Sequence, residues 1–424
     1  MFMTVSSITS MTGFDRFELP EPLLRGIRTA GFQNPRPIQI ETIPAGLEER
    51  DVLGLAQTGT GKTAAFALPL LHRLLKAHCK GPCALVLAPT RELATQIAKE
   101  TQTLAKFTHI KTVTIYGGVS IRHQVSALRQ RPEIVVGCPG RVLDLFQQGI
   151  LHLDRIEALV LDEADHMFDM GFLPDIRQIL AALPSQRQNL LFSATMPNEI
   201  RGLANNLLKK PHVVELANSA PAATIDHALY MVDERRKLAL LKHVLADDNC
   251  SSAIVFTRTK HRTRRLADQL HKAGYLAIGL QGNLSQAQRD RAMRGFRTRQ
   301  YDILVATDIA ARGIDVSGVS HVINFDVPNT PLAYTHRIGR TGRAELDGVA
   351  FTFVTEKDRS WVNATERMIG ASIPRRQAKG FDLKSENTPV AQPMSRKTAS
   401  GSLRRSTSQK RRKKSAHRAR KASP

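Results

Sequence analysis

The sequence predicts an α/β protein with two similar domains in tandem, each a parallel β-sheet covered by helices, followed by a disordered basic tail. Short apolar runs alternate with helix-like segments in residues 1–208 and again in residues 226–374, the pattern of parallel sheets with helices on both faces. Residues 209–225 interrupt that rhythm with Pro211, Pro221 and several Ala, Asn and Ser residues, which predicts a linker. Residues 375–424 lack apolar periodicity and are rich in Lys, Arg and Ser, a composition that predicts disorder.

Length and composition restrict the class of protein. The chain has 424 residues, 42% of them hydrophobic, enough to bury the cores of two or three domains. No apolar run approaches the roughly 18 residues that span a bilayer, and the N-terminus lacks the charge and apolar stretch of a signal peptide. We therefore expect a cytoplasmic protein without a membrane partner. The four cysteines are scattered, so we expect reduced thiols.

The chain is strongly basic, with a formal net charge of +23. Such a charge predicts a polyanionic partner, nucleic acid ahead of an anionic membrane surface. The charge is uneven, because residues 375–424 carry 16 Lys and Arg residues against two acidic ones.

Each apolar run is expected to be a strand. In the first domain these runs are residues 51–56, 84–89, 111–117, 133–139, 158–163 and 189–195. In the second domain they are residues 228–232, 253–257, 276–280, 302–306, 321–325 and 349–354, with a closing helix over residues 356–370. In a sheet of this kind the functional residues lie at the carboxyl ends of the strands.

A phosphate-binding loop follows the first strand. Its residues are Ala56, Gln57, Thr58, Gly59, Thr60, Gly61, Lys62 and Thr63. A glycine-rich turn between a strand and a helix start cradles phosphate with its backbone N–H groups. Lys62 is placed to reach the β- and γ-phosphates and the Thr63 hydroxyl to bind Mg²⁺, as in a P-loop. Ala56 replaces the first Gly of the general pattern, but the two glycines nearest the phosphates are present.

An acidic segment, residues 162–165, follows the apolar run 158–161. Carboxylates beside a buried strand end bind a metal, meet a cation, do acid/base chemistry, or form a solvated turn. The P-loop decides between these alternatives, because Mg²⁺ held by its Thr needs a carboxylate from a neighbouring strand. We assign Asp162 to Mg²⁺, and Glu163 to orienting and deprotonating the attacking water.

The motifs from Phe14 to Arg343, in their order, resemble those of the DEAD-box RNA helicases. This family consists of superfamily 2 ATPases with two RecA-like domains in tandem, and within it the chain is most similar to the bacterial RhlE-type group. The resemblance implies an enzyme that uses ATP and Mg²⁺, is stimulated by RNA, and unwinds short RNA duplexes locally without processive tracking. It also implies that single strands and short duplexes bind with little base specificity.

The resemblance assigns the base and ribose of the nucleotide to residues outside the P-loop. Phe32, Pro37 and Gln39 match the Q motif, and Gln39 would pair with the adenine edge. Phe14, 25 residues before Gln39, would stack on the base, and its alternative role is to fill the core. Asp315 would accept a hydrogen bond from the ribose, although an Asp beside a Gly turn also serves ordinary turn chemistry.

Residues at strand ends of both domains are assigned to the RNA backbone. They are Pro89, Thr90, Arg91, Gly118, Pro139, Arg141, Thr257, Gly282 and Thr307. Such N–H groups, hydroxyls and guanidinium groups hold phosphates and riboses rather than bases. Each segment by itself would be read as an ordinary strand-to-helix turn. Gln288 and Arg289 are also expected to face nucleic acid, and Cys138 stands where the family usually has Thr, which leaves that hydroxyl contact open.

Ser193 and Thr195 match the motif that couples hydrolysis to the domain interface. Their hydroxyls would bond Asp165, whose partner the sequence leaves open among Ser193, Thr195 and His336. A competing interpretation is that this stretch caps the next helix.

Residues 336–343, HRIGRTGR, place four cationic or titratable side chains within eight positions. Arg340 and Arg343 are assigned as arginine fingers that reach the γ-phosphate, and His336 to a contact with the motifs of the first domain. A solvated basic face is the competing interpretation. The predicted catalytic residues are thus Lys62, Asp162, Glu163, His336, Arg340 and Arg343.

Two other classes of function remain. A DNA-directed superfamily 2 enzyme would share the P-loop and HRIGRTGR but should not combine them with the Q motif. A non-catalytic RNA clamp or annealing protein would need only the basic tail. That tail is expected to attract RNA by counterion release, near structured RNA, ribosomal precursors or RNA-decay machinery, or else to be a solvated extension.

Overall fold

The computed structural model describes residues 13–56, 59–77, 81–216, 225–311, 319–342, 348–378 and 380–381. Within these ranges the strands form two seven-stranded sheets, and every strand pair is parallel. The prediction of two parallel α/β domains in tandem is confirmed.

The first domain begins with a short 3-10 turn at Gly13–Phe17. Its helices and strands then follow in chain order: α1 (Glu21–Thr29), α2 (Pro37–Leu47), β1 (Val52–Leu55), α3 (Lys62–Lys76), β2 (Ala84–Leu87), α4 (Arg91–Leu104), β3 (Thr112–Ile115), α5 (Ile121–Leu128), β4 (Ile134–Gly137), α6 (Pro139–Gln147), β5 (Ala158–Leu161), α7 (Ala164–Asp169), α8 (Leu173–Ala182), β6 (Gln188–Ser193), α9 (Asn198–Leu207) and β7 (His212–Glu215). The strands lie in the order β3-β4-β2-β5-β6-β1-β7.

The second domain repeats this architecture. Its elements are β8 (Ile225–Met231), α10 (Lys237–Leu245), β9 (Ala253–Phe256), α11 (Lys260–Lys272), β10 (Ala277–Leu280), α12 (Gln286–Arg297), β11 (Ile303–Ala306), α13 (Asp308–Ala311), β12 (His321–Asn324), α14 (Pro331–Ile338), β13 (Gly348–Val354), α15 (Arg359–Ile369) and β14 (Arg375–Arg376). Short 3-10 turns at Glu234–Arg236 and Glu356–Asp358 precede α10 and α15. The strands lie in the order β10-β11-β9-β12-β13-β8-β14.

The central strands are buried on both faces. Along β2, Ala84 and Val86 pack into one core cluster, whereas Leu85 and Leu87 pack into another. Successive side chains of a strand point to opposite faces, so a strand covered by helices on both sides must be apolar throughout. The continuous apolar runs of the sequence meet that requirement, and the polar residues that follow each run collect at the carboxyl edge of the sheet.

Two domain boundaries differ from the prediction. Strand β7 lies inside the predicted linker but pairs with β1, so it belongs to the first sheet. It is a short edge strand whose Val213 is 53% exposed, and its apolar pattern is too brief to stand out. Strand β14 lies inside the predicted tail but pairs with β8, and Arg376 donates two hydrogen bonds of 2.7 Å to Asp226. A strand of two arginines carries no apolar signal.

Other expectations concern the tail, the cysteines and the membrane. The predicted disorder falls on residues 382–424, which lie outside the described ranges, as do residues 217–224 of the linker. Cys138 and Cys250 are free thiols as expected, but Cys83 is disulfide-bonded, which corrects the expectation that all the cysteines are reduced. None of the helices in the described ranges is long and apolar enough to cross a membrane.

Candidate active site

Three segments converge at the carboxyl edge of the first sheet, because β5, β6 and β1 are neighbours in it. The P-loop follows β1, the acidic segment 162–165 follows β5, and residues 193–195 lie at the end of β6. Polar residues that are distant in the sequence therefore meet at the edge where α/β sheets place their sites.

Lys62 begins α3 and is 6% exposed. Its Nζ donates to the Ala56 carbonyl at 3.0 Å and lies 3.8 Å from Asp162 Oδ1. Gly61, just before it, has a φ of +93°, a left-handed conformation that glycine adopts readily. A phosphate group at this helix start would meet both backbone N–H groups and an ammonium ion.

The rest of the P-loop is described in part. Thr63 is half-buried in the first turn of α3, and Thr60 is half-buried just before Gly61. Gln57 and Thr58, both predicted phosphate contacts, lie outside the described residues.

Gln39 braces the P-loop. Its Nε2 donates to the Gly61 carbonyl at 3.0 Å, and its Oε1 accepts from the Arg36 backbone N–H at 2.8 Å. Arg36 Nη1 in turn donates to the Gly59 carbonyl. A Cβ on Gly61 would lie 2.6 Å from Gln39 Nε2 and would displace the end of that side chain, and the φ of +93° also favours glycine. Pairing of Gln39 with adenine stays a prediction, and the bracing of the loop is an additional role.

Phe14 lies in the core of the first domain. Its ring is 4% exposed, with centroid distances of 5.9 Å to Phe17 and 6.1 Å to Phe32. This is the core-filling role that the sequence left as an alternative. Stacking on adenine would require the ring to leave the core, whereas Pro37 at the start of α2 is exposed.

Glu163 occupies an unusual backbone position before α7. Its φ of 54° and ψ of 53° are left-handed, which is uncommon for a residue with a side chain. His166 Nδ1 lies 2.8 Å from Glu163 Oε2. The other oxygen, Oε1, is buried and has no hydrogen-bond partner among the described residues. A buried acceptor left open in this way, beside Lys62 and Asp162, suits a donor from outside the chain such as a water.

The two adjacent carboxyl groups differ in pKa. Burial raises the pKa of Asp162 to about 6, and the Lys62 ammonium offsets this only in part. Burial also acts to raise the pKa of Glu163, but the charge and hydrogen bond of His166, with Lys62 and Arg340, bring it down to about 2. Glu163 is therefore an ionised acceptor. Lys62 compensates the buried charge of Asp162 only in part, and a bound divalent cation would supply more positive charge, so this carboxylate fits Mg²⁺.

Asp165 is 1% exposed and is held by the end of β6. Its Oδ2 accepts a hydrogen bond of 2.9 Å from Thr195 Oγ1, and its backbone N–H donates to Ser193 Oγ at 3.3 Å. Of the partners that the sequence left open, Thr195 contacts the side chain of Asp165 and Ser193 contacts its backbone.

Two predicted residues of the second domain reach the site. His336 Nδ1, on α14, lies 2.7 Å from His166 Nε2 across the domain interface. Arg340, in the turn after α14, is 7% exposed. Its positive charge helps to lower the pKa of Glu163, which burial alone would raise. Arg343 and Asp315 lie outside the described residues.

Arg337 holds α14 in place. The guanidinium is 2% exposed and donates to both carboxylate oxygens of Asp308, at 2.5 and 2.7 Å. It also donates to Asn324 Oδ1 at 3.0 Å and to the Asp326 carbonyl at 2.7 Å. Because these contacts tie α14 to the ends of β11 and β12, His336 and Arg340 project from a braced element.

The predicted RNA contacts of the first domain follow β2, β3 and β4: Pro89, Thr90, Arg91, Gly118, Pro139 and Arg141. Thr90 Oγ1 caps α4, the ordinary turn role that the sequence kept as an alternative. Gly118 has a φ of +78°, and a Cβ there would lie 2.5 Å from Arg91 Nη1. Arg141 pairs with Asp144 through Nε at 3.2 Å, but its Nη1 is buried and unpartnered within the described part of the chain. That donor is therefore unsatisfied among the described residues, although it is not exposed to solvent.

The predicted contacts of the second domain differ in exposure. Thr257 is fully buried, and its Oγ1 lies 2.6 Å from Thr263 Oγ1. Gly282 is exposed after β10, and Thr307 is half-buried after β11. Gly282 and Thr307 therefore lie at the surface, whereas the Thr257 hydroxyl is engaged inside the domain.

Arg289 does not face nucleic acid as predicted. It is 6% exposed, and its Nη2 and Nε lie 2.6 and 2.8 Å from Glu92 Oε1 in the first domain. Nη2 also donates to the Ala310 carbonyl at 3.2 Å. The correction has a simple cause, since a buried guanidinium needs a carboxylate partner.

Two residues without a predicted role, His166 and Glu92, each contact the opposite domain. The spacing of His166, three residues after Glu163, places both on one side of a helix start, a signal present in the sequence. Glu92 follows Arg91 directly, but its partner is 197 residues away in the chain, so no local pattern could identify it.

Comparisons with known proteins agree with this geometry. The family model described as DEAD/DEAH box helicase matches residues 36–203, and the model described as Helicase conserved C-terminal domain matches residues 236–345. The ATP-dependent RNA helicase CshA of Listeria monocytogenes is 44% identical over 373 residues, 88% of this chain and 72% of that relative. The chain belongs to the DEAD-box ATP-dependent RNA helicases.

Further relatives support the family. The DEAD-box ATP-dependent RNA helicase CshA of Geobacillus kaustophilus is 44% identical, covering 88% of this helicase and 80% of the relative. The corresponding protein of Bacillus subtilis is 44% identical, and the match covers 87% of this helicase and 75% of the relative. The predicted family and its ATP-hydrolysing activity are thereby confirmed, whereas the RhlE-type placement stays a prediction.

Solved structures extend the likeness to both domains of the helicase. S. cerevisiae Dbp5 bound to RNA and ADP BeF3 has a TM-score of 0.77 at 33% identity, covering 87% of this chain and 96% of Dbp5. Mss116p bound to ssRNA and AMP-PNP has a TM-score of 0.77 at 28% identity, and the match covers 88% of this chain and 81% of Mss116p. A DEAD box protein of Methanococcus jannaschii has a TM-score of 0.52 at 38% identity, and the match covers 87% of this chain and 99% of that protein. The tandem RecA-like fold is confirmed.

Proposed function

We propose that this helicase binds ATP with Mg²⁺ at the P-loop and hydrolyses it in a site that only the second domain completes. The observation that carries the proposal is Glu163, a buried and ionised carboxylate whose Oε1 is open within the described structure. Lys62 and Arg340 both act on this carboxylate electrostatically, one from each domain. A general base requires such a free acceptor facing the reacting atoms.

Each residue of the site has a proposed task toward ATP. Lys62 and the loop N–H groups would hold the β- and γ-phosphates. Arg340 would stabilise the charge of the transferred phosphoryl group. Thr63 and Asp162 would hold Mg²⁺, which would supply positive charge at the phosphate oxygens. Glu163 would orient the attacking water through Oε1 and accept its proton.

RNA is proposed to lie across the strand ends of both domains. In the first domain Arg141 has a buried Nη1 that no described residue accepts from, and in the second domain Gly282 and Thr307 lie at the surface. Such groups suit phosphates and riboses, so little base specificity is expected. The RNA complexes of Dbp5 and Mss116p, whose folds are similar, support this placement.

The two ligands would act through domain closure. Because ATP and RNA would each bridge the domains, each favours the closed arrangement and thereby the binding of the other. Contacts between Glu92 and Arg289 and between His166 and His336 join the domains in the present structure. A strand bound in this form would be bent, which opens a short duplex locally, and hydrolysis would release it. We therefore propose local, non-processive unwinding or RNP remodelling.

The cellular setting is proposed from charge and family. The net charge of +23 favours RNA-rich partners, and ribosomal precursors or the RNA-decay machinery meet that description. The cytoplasm is the proposed location.

Substituting Glu163 with Gln tests the central assignment. The amide keeps the size of the side chain but cannot take a proton, so RNA-stimulated phosphate release should fall by about 10²- to 10⁴-fold. Binding of an ATP analogue should persist. Glu199→Gln, at an exposed position of α9, is the matched control. Survival of phosphate release in Glu163→Gln would show that Glu163 is not the base, and equal stimulation by DNA would favour a DNA-directed enzyme.

A further inference from the structure

One side chain contacts both the proposed general base and the opposite domain. His166 is 3% exposed, with Nδ1 2.8 Å from Glu163 Oε2 and Nε2 2.7 Å from His336 Nδ1. The two imidazole rings are nearly perpendicular, at 88°, with centroids 4.3 Å apart. We propose that His166 is a positioning residue that orients Glu163 through Nδ1 and supports domain closure through Nε2. The inference rests on the proposed role of Glu163 as the base.

The first half of the bridge fixes the direction of the carboxylate. His166 Nδ1 lies at hydrogen-bonding distance from Glu163 Oε2, 2.8 Å, and with this nitrogen as the donor it engages that oxygen of the carboxylate. That contact leaves Oε1 as the oxygen that is open within the described ranges. The backbone adds to the constraint, because Glu163 adopts a left-handed conformation and its N–H donates to Asp162 Oδ1 at 3.0 Å. A carboxylate held by one oxygen presents the other in a defined direction, as water activation requires.

The second half of the bridge depends on the second domain. His336 lies on α14, which Arg337 ties to Asp308 and to the end of β12. The imidazole of His166 can therefore keep both of its hydrogen bonds only while the domains are together. In an open arrangement Nε2 would lose His336, so this hydrogen bond favours the closed arrangement. Buried hydrogen bonds of this kind strengthen one another in a low dielectric.

A purely structural histidine would have a different signature. Its removal would lower stability without changing the balance between turnover and RNA affinity. The positioning role instead predicts that each nitrogen controls a separate kinetic quantity: Nδ1 controls the turnover rate through Glu163, and Nε2 controls closure, and so the RNA concentration needed, through His336.

Three substitutions separate these quantities. In His166→Asn the amide nitrogen falls near the position of Nδ1, so the bond to Glu163 can form but His336 is out of reach. In His166→Gln the longer side chain reaches the position of Nε2, so His336 can be contacted without holding Glu163. His166→Phe keeps the ring and removes both nitrogens. His152→Asn, at an exposed loop position, is the matched control.

The experiment uses the full chain with saturating ATP and Mg²⁺ and varied RNA, and it records kcat and the KM for RNA. Domain closure is followed by fluorescence energy transfer with RNA and a non-hydrolysable ATP analogue. His166→Phe should lower kcat by about 10- to 100-fold, since it removes a hydrogen bond to a charged group, and should weaken closure. His166→Asn should retain kcat within about threefold and raise the KM for RNA about tenfold. His166→Gln should show the reverse.

The outcomes decide between the alternatives. Wild-type kcat and KM in His166→Phe would overturn the inference, as would equal losses of activity in all three variants accompanied only by a lower melting temperature. If His166→Phe fails to fold, the opposite effects expected of the Asn and Gln variants still decide. Failure of this inference can be told from failure of the proposed function. If Glu163→Gln is active, Glu163 is not the general base. If Glu163→Gln is inactive and the His166 variants behave like the wild type, only the positioning role of His166 is contradicted.

Discussion

Arg289 and Glu92 join the two domains through an ion pair of 2.6 Å, although 197 residues separate them in the chain. The Arg289 side chain is 7% exposed and that of Glu92 is 17% exposed, so neither charge is well solvated. The pair lies beside Arg91, one of the residues assigned to RNA. The pair therefore joins the two domains, and neither domain can complete it alone.

Breaking this pair should weaken RNA binding more than stability. Arg289→Gln or Glu92→Gln alone should raise the KM for RNA in the ATPase assay about 10- to 100-fold, because each leaves a poorly solvated charge unpaired. The double substitution should raise the KM for RNA no more than either single substitution does. This corresponds to a coupling free energy between the two residues of about 1–3 kcal/mol. Arg291→Gln, exposed on the same helix, is the control, and additive effects of the two substitutions would contradict the pairing.

Gly61→Ala should disable the P-loop. The new Cβ would lie 2.6 Å from Gln39 Nε2 at a φ of +93°, which costs about 1–2 kcal/mol in backbone conformation alone. Affinity for a fluorescent ATP analogue should fall at least tenfold, measured by titration. Gly202→Ala, in α9 with open space around its Cβ, should bind normally and gain up to about 1 kcal/mol in stability. Normal nucleotide affinity in Gly61→Ala would show that the Gln39 side chain can move aside without disturbing the P-loop.

Acid should open the domains through His336. Burial, together with the charge of His166, lowers the pKa of His336 to about 3 in the closed structure, whereas an exposed imidazole has a pKa near 6.5. The contribution of His336 to closure is therefore complete above about pH 6.5 and disappears as the pH falls toward 3. Each pH unit in that interval costs about 1.4 kcal/mol.

The corresponding measurement is RNA affinity in the presence of an ATP analogue. Between pH 7.5 and 5.5 the dissociation constant should rise about tenfold. His336→Asn should bind less tightly at pH 7.5 but show little of this pH dependence, because its amide does not titrate. An unchanged pH dependence in that variant would assign the acid sensitivity to another group.

Removing residues 382–424 should change RNA binding without changing chemistry. This segment holds 13 Lys and Arg residues against two acidic ones. Each phosphate interaction that the truncation removes should flatten the dependence of log K on log salt by about 0.7 for single-stranded RNA, while kcat at saturating RNA stays constant. A tail of the same composition in shuffled order should restore binding if charge alone acts. An unchanged KM and salt dependence after truncation would identify the tail as a dispensable extension.

Much of the fold can be predicted from the sequence because its signals are local. Strand β2 is apolar at four consecutive positions since both of its faces are covered, and the P-loop is written in eight contiguous residues. The edge strands β7 and β14 escape prediction for the opposite reason. Half-exposed or charged residues form them, and only pairing with β1 and β8 makes them strands.

The chemistry available to this helicase can be read in its sequence alone: a phosphate loop, a carboxylate pair, and a basic motif in a second domain of the same class. Which atoms meet depends on the tertiary structure. In the folded protein Phe14 lies in the core, and Thr195 is the partner of the Asp165 side chain. Arg289 contacts Glu92, and His166 lies between Glu163 and His336. The reason is physical, because the contact between residues 166 and 336 spans 170 positions, and such a pairing is fixed by the packing of two domains rather than by any local pattern.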